Sequence, residues 1–321
     1  MSALVGESAD FGRHGEGTPS PLPLGEIGTE VKDWIALLKP RVMTLVVFTG
    51  LIGMLIAPGH LNPVLGFTAV LCIAVAAGAC GAINMWYDRD IDAIMRRTRK
   101  RPIPDGRIPP AAALGYGIVL GGGAVLVMFL ATNGVAAGVL TLSILFYVFV
   151  YTAWLKRRTP QNIVIGGAAG AFPVVIGWAA VTGSVDFVPL TLFGIVFFWT
   201  PPHFWSLALW AHDDYRRAGI PMLPVAAGAC STRRHILVYT MLLVLVSLAP
   251  WEIGFSGRLY LLVAIALGIG FLIHAARILY DRQDAQGTSL SGDAPAKAGF
   301  KFSILYLFLL FAALAIDRLW T

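Results

Sequence analysis

Long apolar segments alternate with short polar connections along the chain, and this pattern predicts the elements of the structure. A helix of about 20 apolar residues crosses a bilayer, and nine segments come close to that length. They cover residues 41–58, 63–86, 111–131, 134–154, 161–181, 186–210, 235–254, 259–280 and 300–317. The tight connections at 132–133 and 182–186 predict helical hairpins, and Pro173 inside the fifth segment predicts a kink. The sequence therefore predicts an all-α, polytopic membrane protein, a bundle of about nine transmembrane helices around a central cavity.

Composition supports the same class of protein. Of the 321 residues, 57% are hydrophobic and 13% are charged, whereas an ordinary soluble domain is about 25% charged. The net charge of +6 comes from bases in short loops, where they orient a membrane protein, so we expect no nucleic-acid partner. The three cysteines, Cys72, Cys80 and Cys230, lack metal-ligand spacing, and Cys72 and Cys80, which lie inside an apolar segment, are interpreted as packing residues.

Basic residues predict the orientation of the chain. Of the 24 Lys and Arg residues, 22 fall on one side of the predicted spans, and only Arg258 and Arg318 fall opposite. Because basic loops stay in the cytoplasm, the N-terminus is expected inside and the polar loops are expected to face the cytoplasm. Residues 1–30, rich in Gly, Pro, Ser and Glu, are predicted to be a disordered cytoplasmic tail, and residues 31–321 a single transmembrane domain.

Acidic residues end the second apolar segment. Asn84, Asp88 and Asp92 recur at intervals of four, so on a helix their side chains share one face. Paired carboxylates at a membrane helix end are costly unless a cation neutralises them. Mg²⁺ commonly binds one or two carboxylates together with substrate phosphates, and the basic run 96–101 follows directly. The pattern predicts a magnesium-diphosphate site, with a solvated loop of salt bridges as the alternative.

The order of these residues is also typical of a known family. Asn84-x3-Asp88-x3-Asp92 followed by Arg97-Thr-x2-Arg101-Pro resembles the first signature of the UbiA-type intramembrane prenyltransferases, and the likeness extends over roughly residues 33–317. The resemblance implies that Asn84, Asp88 and Asp92 bind Mg²⁺, that Asp88 and Asp92 are catalytic, and that Arg97 and Arg101 bind the substrate.

A second polar constellation runs from Trp199 to Pro224 and resembles the family's second loop. Family members that act on aromatic substrates carry another Asp-x3-Asp there, but the equivalent positions in this chain are Ala211 and Tyr215. This departure leaves Asp214, next to Tyr215, as the preferred catalytic candidate and Tyr215 as a substrate-binding one. Asp213 remains unassigned, and both acids can also simply begin the loop.

His203 lies in the apolar run Pro201-Pro-His-Phe-Trp205, where an ionisable side chain suggests a functional site. The run is similar to the branch of the superfamily that farnesylates protoheme IX. The resemblance implies that His203 contacts the porphyrin iron or lies beside the reacting vinyl group. A histidine that only packs in the core is the alternative, and His212 in the following loop has no assigned role.

The third constellation is Tyr151-Thr-x3-Lys156-Arg157, at the end of the fourth segment. It resembles the family element that delivers a lysine and an arginine to the diphosphate, which implies Tyr151, Lys156 and Arg157 as substrate-binding residues. Bases after an apolar segment can also serve only to orient the protein. The glycine-rich run 166–170 is interpreted as close helix packing and not as a phosphate cradle.

The resemblance implies a complete reaction. The donor would be farnesyl diphosphate, the acceptor a vinyl group of protoheme IX (heme B), the cofactor Mg²⁺ and the product heme O. The surroundings would be membrane lipid of the bacterial inner membrane, with heme A synthase or cytochrome oxidase assembly factors as partners. Two alternatives stay open, namely prenylation of a small aromatic or quinone precursor, and a non-enzymatic membrane transporter. The missing second Asp-x3-Asp disfavours the first, and ligands confined to loops disfavour the second.

Overall fold

A computed structural model describes residues 30–284 and 287–320 of the chain. Apart from Glu30, the predicted disordered tail lies outside the described residues. The described ranges contain helices and no strand, only an isolated bridge between Gln283 and Ser289. The helices are α1 (Val31–Leu37), α2 (Pro40–Leu55), α3 (Pro63–Tyr87), α4 (Arg89–Ile94), α5 (Pro110–Ala131), α6 (Gly134–Leu145), a π-helix (Phe146–Leu155), α7 (Asn162–Thr182), α8 (Phe187–Trp210), α9 (His212–Arg217), α10 (Leu223–Ala226), α11 (Gly228–Glu252), α12 (Arg258–Leu279) and α13 (Ala294–Trp320).

The long helices confirm the prediction of an all-α, polytopic membrane protein. Within the described ranges, eight helices are long and apolar enough to cross a membrane, with α6 and the π-helix counted as one. The pair α1 and α2, bent by 62°, makes a ninth if it is taken as one broken span. The predicted segments match these helices, except that α11 begins at Gly228 and α13 at Ala294 instead of near 235 and 300. These two helices extend through polar residues that the apolar pattern does not include.

Local chemistry explains where several helices begin. Pro40, Pro63 and Pro110 each occupy the first position of a helix, where the missing N–H has no partner to lose. Asn62 and Asn133 cap α3 and α6, accepting hydrogen bonds from backbone N–H groups at 2.9 Å. The helix α7 runs from Asn162 to Thr182 without interruption, so the proline inside it does not divide the span.

Glycines allow α2 and α7 to pack backbone against backbone. A Cβ atom added to Gly177 would lie 2.0 Å from the carbonyl oxygen of Gly50, and one added to Gly53 would lie 2.2 Å from that of Val174. Small residues permit such close approach inside a membrane, where packing and not hydrophobic burial holds helices together. Two buried clusters flank α7, one shared with α2, α8, α12 and α13 and the other with α3, α5 and α6.

An apolar cavity lies between α2, α3, α6, the π-helix and α7. Its walls include Val46, Ile73, Leu140 and Pro173, and Lys39 lines it as well. Because successive spans alternate in direction, the connections 88–109, 156–161 and 211–227 and the described parts of the next one, 280–284 and 287–293, all lie at one end of the bundle. We refer to these four connections together as the charged end.

Candidate active site

The first motif is buried at the charged end of α3. The helix α3 ends at Tyr87 and α4 begins at Arg89, but the backbone bonds Asp88 N–H to Asn84 O (2.9 Å) and Asp92 N–H to Asp88 O (2.8 Å) keep helical spacing across the junction. Asn84, Asp88 and Asp92 therefore share one face, as the sequence predicts. Asp88 is 0% exposed, so the motif is not a solvated loop.

Cations from two loops neutralise the buried carboxylates. Lys156 pairs with Asp88, and an Nη atom of Arg157 lies 3.5 Å from the other oxygen of that carboxylate. Arg101 donates to Asp92 at 2.7 Å. A buried carboxylate is stable only when it is paired or hydrogen-bonded, so these contacts offset the cost of burying the two acids.

Asn84 connects the motif to two residues that the sequence analysis did not select. Its Nδ2 donates to Asp88 at 2.8 Å and to the Thr152 hydroxyl at 3.2 Å. Its Oδ1 accepts a 2.7 Å hydrogen bond from Lys39. Lys39 adopts a left-handed conformation with φ 53° just before α2, at the bend between α1 and α2. Its position immediately before Pro40 at a helix start is the only sequence signal that marks it.

The π-helix brings the third constellation to the same place. In this segment backbone hydrogen bonds reach five residues back, as in Lys156 N–H to Tyr151 O at 3.0 Å. A π-helix turns side chains away from the positions of an α-helix and occurs often at functional sites. Here it sets Thr152 against Asn84 and Lys156 against Asp88. The Tyr151 ring lies beside the Tyr147 ring, with 5.4 Å between their centroids.

Arg157 lies at the rim of the site. It donates to both oxygens of Asp90 at 2.8 Å and to the carbonyl of Tyr87 at 3.0 Å, and its guanidinium carbon is 4.9 Å from the Tyr87 ring centroid. The hydrogen bonds from Arg157 lower the pKa of Asp90. The Arg157 side chain is thus held next to the buried acids. For the next residue, Arg158, the contact is a backbone one, from its N–H to the carbonyl of Leu155 at 3.0 Å.

The second loop folds against the first. The Tyr215 hydroxyl accepts a 3.4 Å hydrogen bond from Arg97, and the Tyr215 ring packs in a buried cluster with Ile91 and Met95. Tyr215 therefore lies beside Arg97, the other residue of these two loops that is predicted to bind the substrate. Asp214 is in contact with Arg217 of its own helix.

Asp213 and His212 form a separate pair in the same helix. The Asp213 side chain is 74% exposed and lies 3.2 Å from His212. The His212 Nδ1 contacts the carbonyl of Leu209 at 2.8 Å. The structure thus turns Asp213 outward and leaves Asp214 as the acid of this loop that is partly covered.

His203 lies in the seam between α8 and α13. Its ring stacks between Trp199 and Phe300, with centroid distances of 4.2 and 4.5 Å, and its Nδ1 is 2.7 Å from the Ser303 hydroxyl. The hydrogen bonds and ring contacts recorded for His203 within the described ranges come from α8 and α13. The structure does not bring His203 into contact with Asn84, Asp88 or Asp92.

The charges of the site favour a polyanion. Four basic side chains contact the first motif or the neighbouring Asp90. They are Lys39, Arg101, Lys156 and Arg157, while Arg97 of the same loop lies on Tyr215. Converging basic side chains attract multiply charged anions, and arginine forks match phosphate oxygens well.

The oxygen donors of the motif fit a divalent cation that is shared with such an anion. Among the described residues no group of three or more His, Cys, Asp or Glu side chains is placed to hold a metal. Two carboxylates and one amide, from Asp88, Asp92 and Asn84, are the small protein contribution that Mg²⁺ typically receives when substrate phosphates complete its shell. The donor set and its surrounding cations are thus suited to a magnesium-diphosphate group.

The apolar cavity begins beside this charged cluster. Lys39 and Tyr147 line it at the end near Asn84, and Ile73, Ile144 and Ile176 line it further into the bundle. The arrangement can hold a molecule with a polyanionic head at the charged end and a long apolar chain inside the membrane.

Comparison with known proteins is consistent with this geometry. The chain matches the UbiA prenyltransferase family over residues 46–305. It is 68% identical over 286 residues to a protoheme IX farnesyltransferase of Granulibacter bethesdensis, covering 89% of this chain and 90% of that protein. It is 63% identical over 293 residues to a protoheme IX farnesyltransferase of Acidiphilium cryptum, covering 91% and 92%.

Solved structures share the fold at low sequence identity. A digeranylgeranylglyceryl phosphate synthase superposes with a TM-score of 0.73 at 18% identity, covering 90% of this chain and 99% of that one. A UbiA homologue from Archaeoglobus fulgidus, solved with GPP and Mg²⁺, gives a TM-score of 0.63 at 18% identity, covering 88% and 99%. These likenesses confirm the predicted helical bundle.

Proposed function

Since the chain belongs to the UbiA prenyltransferase family, we propose that it transfers the farnesyl group of farnesyl diphosphate to a vinyl group of protoheme IX. The product is heme O, and diphosphate is released. The family match makes the chain a prenyltransferase, and relatives that carry the heme-specific name at 63–68% identity support heme as the acceptor. The observation that carries the proposal is the buried, cation-lined acid pair at the mouth of an apolar cavity.

The donor fits this arrangement with its two ends in different environments. The farnesyl chain would lie in the apolar cavity, and the diphosphate would lie among Lys39, Arg101, Lys156 and Arg157. Asn84, Asp88 and Asp92 would hold Mg²⁺, which supplies positive charge to the diphosphate when bound. The two carboxylates would therefore bind the donor's phosphates indirectly.

The basic residues are placed to reach the donor. Lys156 contacts Asp88, and Arg101 contacts Asp92. With Mg²⁺ held by the two acids, these basic side chains would be able to turn to the diphosphate oxygens, where negative charge would grow as the bond to the farnesyl carbon breaks. Stabilisation of charge that develops in the transition state accelerates the reaction.

The allylic cation that results is attacked by the terminal carbon of the porphyrin vinyl group. The new cation beside the pyrrole ring is then captured by water, which loses a proton and gives the hydroxyethylfarnesyl side chain. Water must be kept from the farnesyl cation before that step, and an apolar cavity inside a membrane does so. Tyr151 and Tyr215 would border the reacting groups, and Asp214 is the acid of the second loop proposed to assist.

We place His203 on the acceptor side of the site. Its imidazole lies between two aromatic rings, Trp199 and Phe300, that offer flat apolar surfaces. Ser303 uses its own proton in a 2.7 Å hydrogen bond to Phe300 O, so its oxygen accepts from Nδ1–H of His203 and leaves Nε2 as the nitrogen with a free lone pair. That nitrogen suits an iron ligand.

The position in the cell follows from the same proposal. The protein is a multi-pass membrane protein, and we propose the bacterial inner membrane with the charged end in the cytoplasm, where farnesyl diphosphate is soluble enough to arrive. Delivery of the product to heme A synthase or to cytochrome oxidase assembly factors remains a prediction.

The test is incubation of the purified protein with heme B, farnesyl diphosphate and Mg²⁺, followed by mass spectrometry of the extracted heme. We expect a heme whose mass has increased by one farnesyl group and one hydroxyl group, and no product after chelation of divalent cations. Prenylation of a small aromatic acid in place of heme would contradict the proposed acceptor, and an unchanged pool of farnesyl diphosphate would contradict prenyl transfer.

A further inference from the structure

A second pocket, polar in its lining, lies at the charged end. It is formed by α9, by the start of α11 and by the connection between α12 and α13. Its polar lining comprises His212, Arg216, Arg233, Thr288, Ser289 and Asp293. None of the described residues that line it also lines the apolar cavity, so it is a separate space that the reaction as derived above does not use.

Arg233 is the unusual member of this lining, because it is buried and short of hydrogen-bond acceptors. The residue is 1% exposed, and Nη1 donates to Gly287 O at 3.0 Å. Its Nη2 lies 3.7 Å from Asp281 and from Asp293, which is too far for a hydrogen bond. The Nε atom is buried without a partner. Buried polar groups in native proteins are nearly always paired, so this guanidinium calls for another acceptor.

The acids beside Arg233 leave room for an incoming anion. Asp281 accepts hydrogen bonds from the hydroxyls of Ser289 at 2.6 Å and Ser291 at 2.7 Å. Its carboxylate therefore has hydrogen-bond partners other than Arg233. Asp293 lies 3.7 Å from the same guanidinium, and burial raises the pKa of its carboxyl. On the opposite wall the pocket presents His212 and Arg216.

The pocket lies between the two halves of the proposed site, and within the described ranges it does not open into the apolar cavity. In α9, Tyr215 faces the first loop through its hydrogen bond with Arg97, while His212 and Arg216, four residues apart, line the pocket on another face. The short helix therefore separates the diphosphate region from the pocket.

On its other side the pocket reaches the α8–α13 seam. Leu209 lines the pocket, and the next residue, Trp210, meets the Phe300 ring edge-on at 5.5 Å between centroids. Phe300 stacks on His203. His203 and Leu209 are separated by about 9 Å along the helix axis, a distance comparable with that from the centre of a porphyrin to its carboxylate edge.

We propose that this pocket binds the propionate carboxylates of the iron porphyrin acceptor, with Arg216 and Arg233 as the principal donors and His212 beside them. The porphyrin then enters with its carboxylates at the charged end and its vinyl edge directed into the membrane. The inference rests on the proposed function, since it assigns a binding site to that reaction's acceptor. It requires no bond to form or break.

The test compares two ligands on two protein variants. The full chain in lipid nanodiscs is titrated with heme B and with heme B dimethyl ester, in which both propionates are esterified, and affinity is read from the Soret band. Arg216→Gln changes an exposed residue and leaves the fold intact. Arg234→Gln, which removes an exposed charge from the same region of α11, is the matched control. Arg233→Lys keeps the buried charge but removes the fork.

We expect Arg216→Gln to weaken heme B binding about tenfold, as for loss of a charged hydrogen bond, and Arg234→Gln to have no effect. The dimethyl ester should bind the wild-type protein at least tenfold more weakly than heme B, and Arg216→Gln should not weaken it further. That non-additivity shows that the arginine and the carboxylates interact. Arg233→Lys should reproduce the loss for heme B and spare the ester.

Additive effects of Arg216→Gln and of esterification on heme affinity would overturn the inference. Displacement of heme B by inorganic diphosphate that depends on Arg216 would also overturn it, because the pocket would then bind diphosphate. Farnesyl transfer is measured on the same preparations, which separates the two proposals. If farnesylated heme is formed but the two effects are additive, the pocket is not the carboxylate site and the proposed reaction stands. If the effects are non-additive but the wild-type protein makes no farnesylated heme, the carboxylate site in the pocket stands and the proposed reaction is wrong.

Discussion

Asp88 is completely buried and its carboxylate contacts Asn84, Lys156 and Arg157. We predict that Asp88→Asn, which keeps the shape of the side chain, lowers farnesyl transfer roughly 100-fold or more, because it removes charge that would hold the metal and diphosphate in the transition state. Asp92→Asn should do the same. The measurement is the initial rate of Mg²⁺-dependent product formation in purified, correctly inserted protein.

Asp105→Asn is the matched control for these variants. Asp105 lies in the same loop, but it pairs with Arg107 at 2.9 Å and its side chain is 49% exposed, so its loss should leave the rate near the wild-type value. Rates of Asp88→Asn within a few-fold of wild type at saturating Mg²⁺ would remove Asp88 from the site.

His203 tests whether the α8–α13 seam belongs to the acceptor site. We predict that His203→Ala stops transfer to heme while slow Mg²⁺-dependent hydrolysis of farnesyl diphosphate survives, because the acids and their cations are untouched. Heme affinity and hydrolysis are measured on the same preparation. Ser303→Thr, which keeps the hydroxyl that contacts Nδ1, serves as the mild variant of the same contact.

A purely packing histidine gives a different result. Loss of its buried hydrogen bond would cost about 1–3 kcal/mol of stability, and both activities would fall together with the folded fraction. If a stable His203→Ala protein binds and farnesylates heme normally, His203 has no role on the acceptor side.

At the scale of single residues, local spacing in the sequence predicted some members of the site, whereas contacts between residues far apart in the sequence could not be predicted. The four-residue interval placed Asn84, Asp88 and Asp92 on one face because helical geometry depends only on neighbours in sequence. Lys39 and Thr152 were missed because their hydrogen bonds to Asn84 join residues 45 and 68 positions apart. No local pattern encodes such pairings.

Among the helices, the π-helix is the element on which the site depends most. Its Tyr151 ring packs directly on Gly166 of α7, where an added Cβ atom would lie 2.2 Å from a ring carbon. We predict that Gly166→Ala displaces Tyr151 and the segment that carries Lys156, and lowers farnesyl transfer at least tenfold while the protein still inserts. The initial rate and the apparent affinity for farnesyl diphosphate are the measurements.

Gly138→Ala is the matched control, because a Cβ atom at Gly138 in α6 meets nothing within 4 Å. This variant should keep full activity and gain slightly in stability, since alanine favours a helix by about 1 kcal/mol over glycine. Wild-type activity in Gly166→Ala would show that the position of Tyr151 does not matter to the reaction.

The helices also show where sequence patterns stop being informative. The length of the apolar segments predicted each long helix, but α11 begins about two turns before its predicted start and includes the buried Thr232 and Arg233. A helix continues beyond the apolar span when its polar side chains find partners in neighbouring loops, and hydropathy does not record those partners. The change from α6 to the π-helix is invisible in the same way, because both segments are equally apolar.

For the whole molecule, the alternation of spans brings every polar connection with a proposed role to one end. The proposed diphosphate site and the second pocket, which we propose to bind the porphyrin carboxylates, then both lie at the charged end, while the apolar cavity lies within the bundle. Charge asymmetry in the sequence was enough to predict this arrangement, because it depends on loop composition and not on side-chain geometry. Charge asymmetry could not predict that α9 separates the diphosphate region from the second pocket, since that separation depends on how the second loop folds back on the first.

The orientation of this end in the membrane is the last prediction. With Cys230, the exposed native thiol, replaced by alanine, a cysteine introduced at Gly183 should react with a membrane-impermeant maleimide in intact cells. One introduced at Gly106 should react only after permeabilisation. Both glycines have positive φ, 68° and 74°, so each substitution is strained, but each lies in an open turn where an added side chain meets nothing within 4 Å. Labelling at Gly106 in intact cells, with Gly183 protected, would place the charged end outside and would exclude a cytoplasmic supply of farnesyl diphosphate to the site.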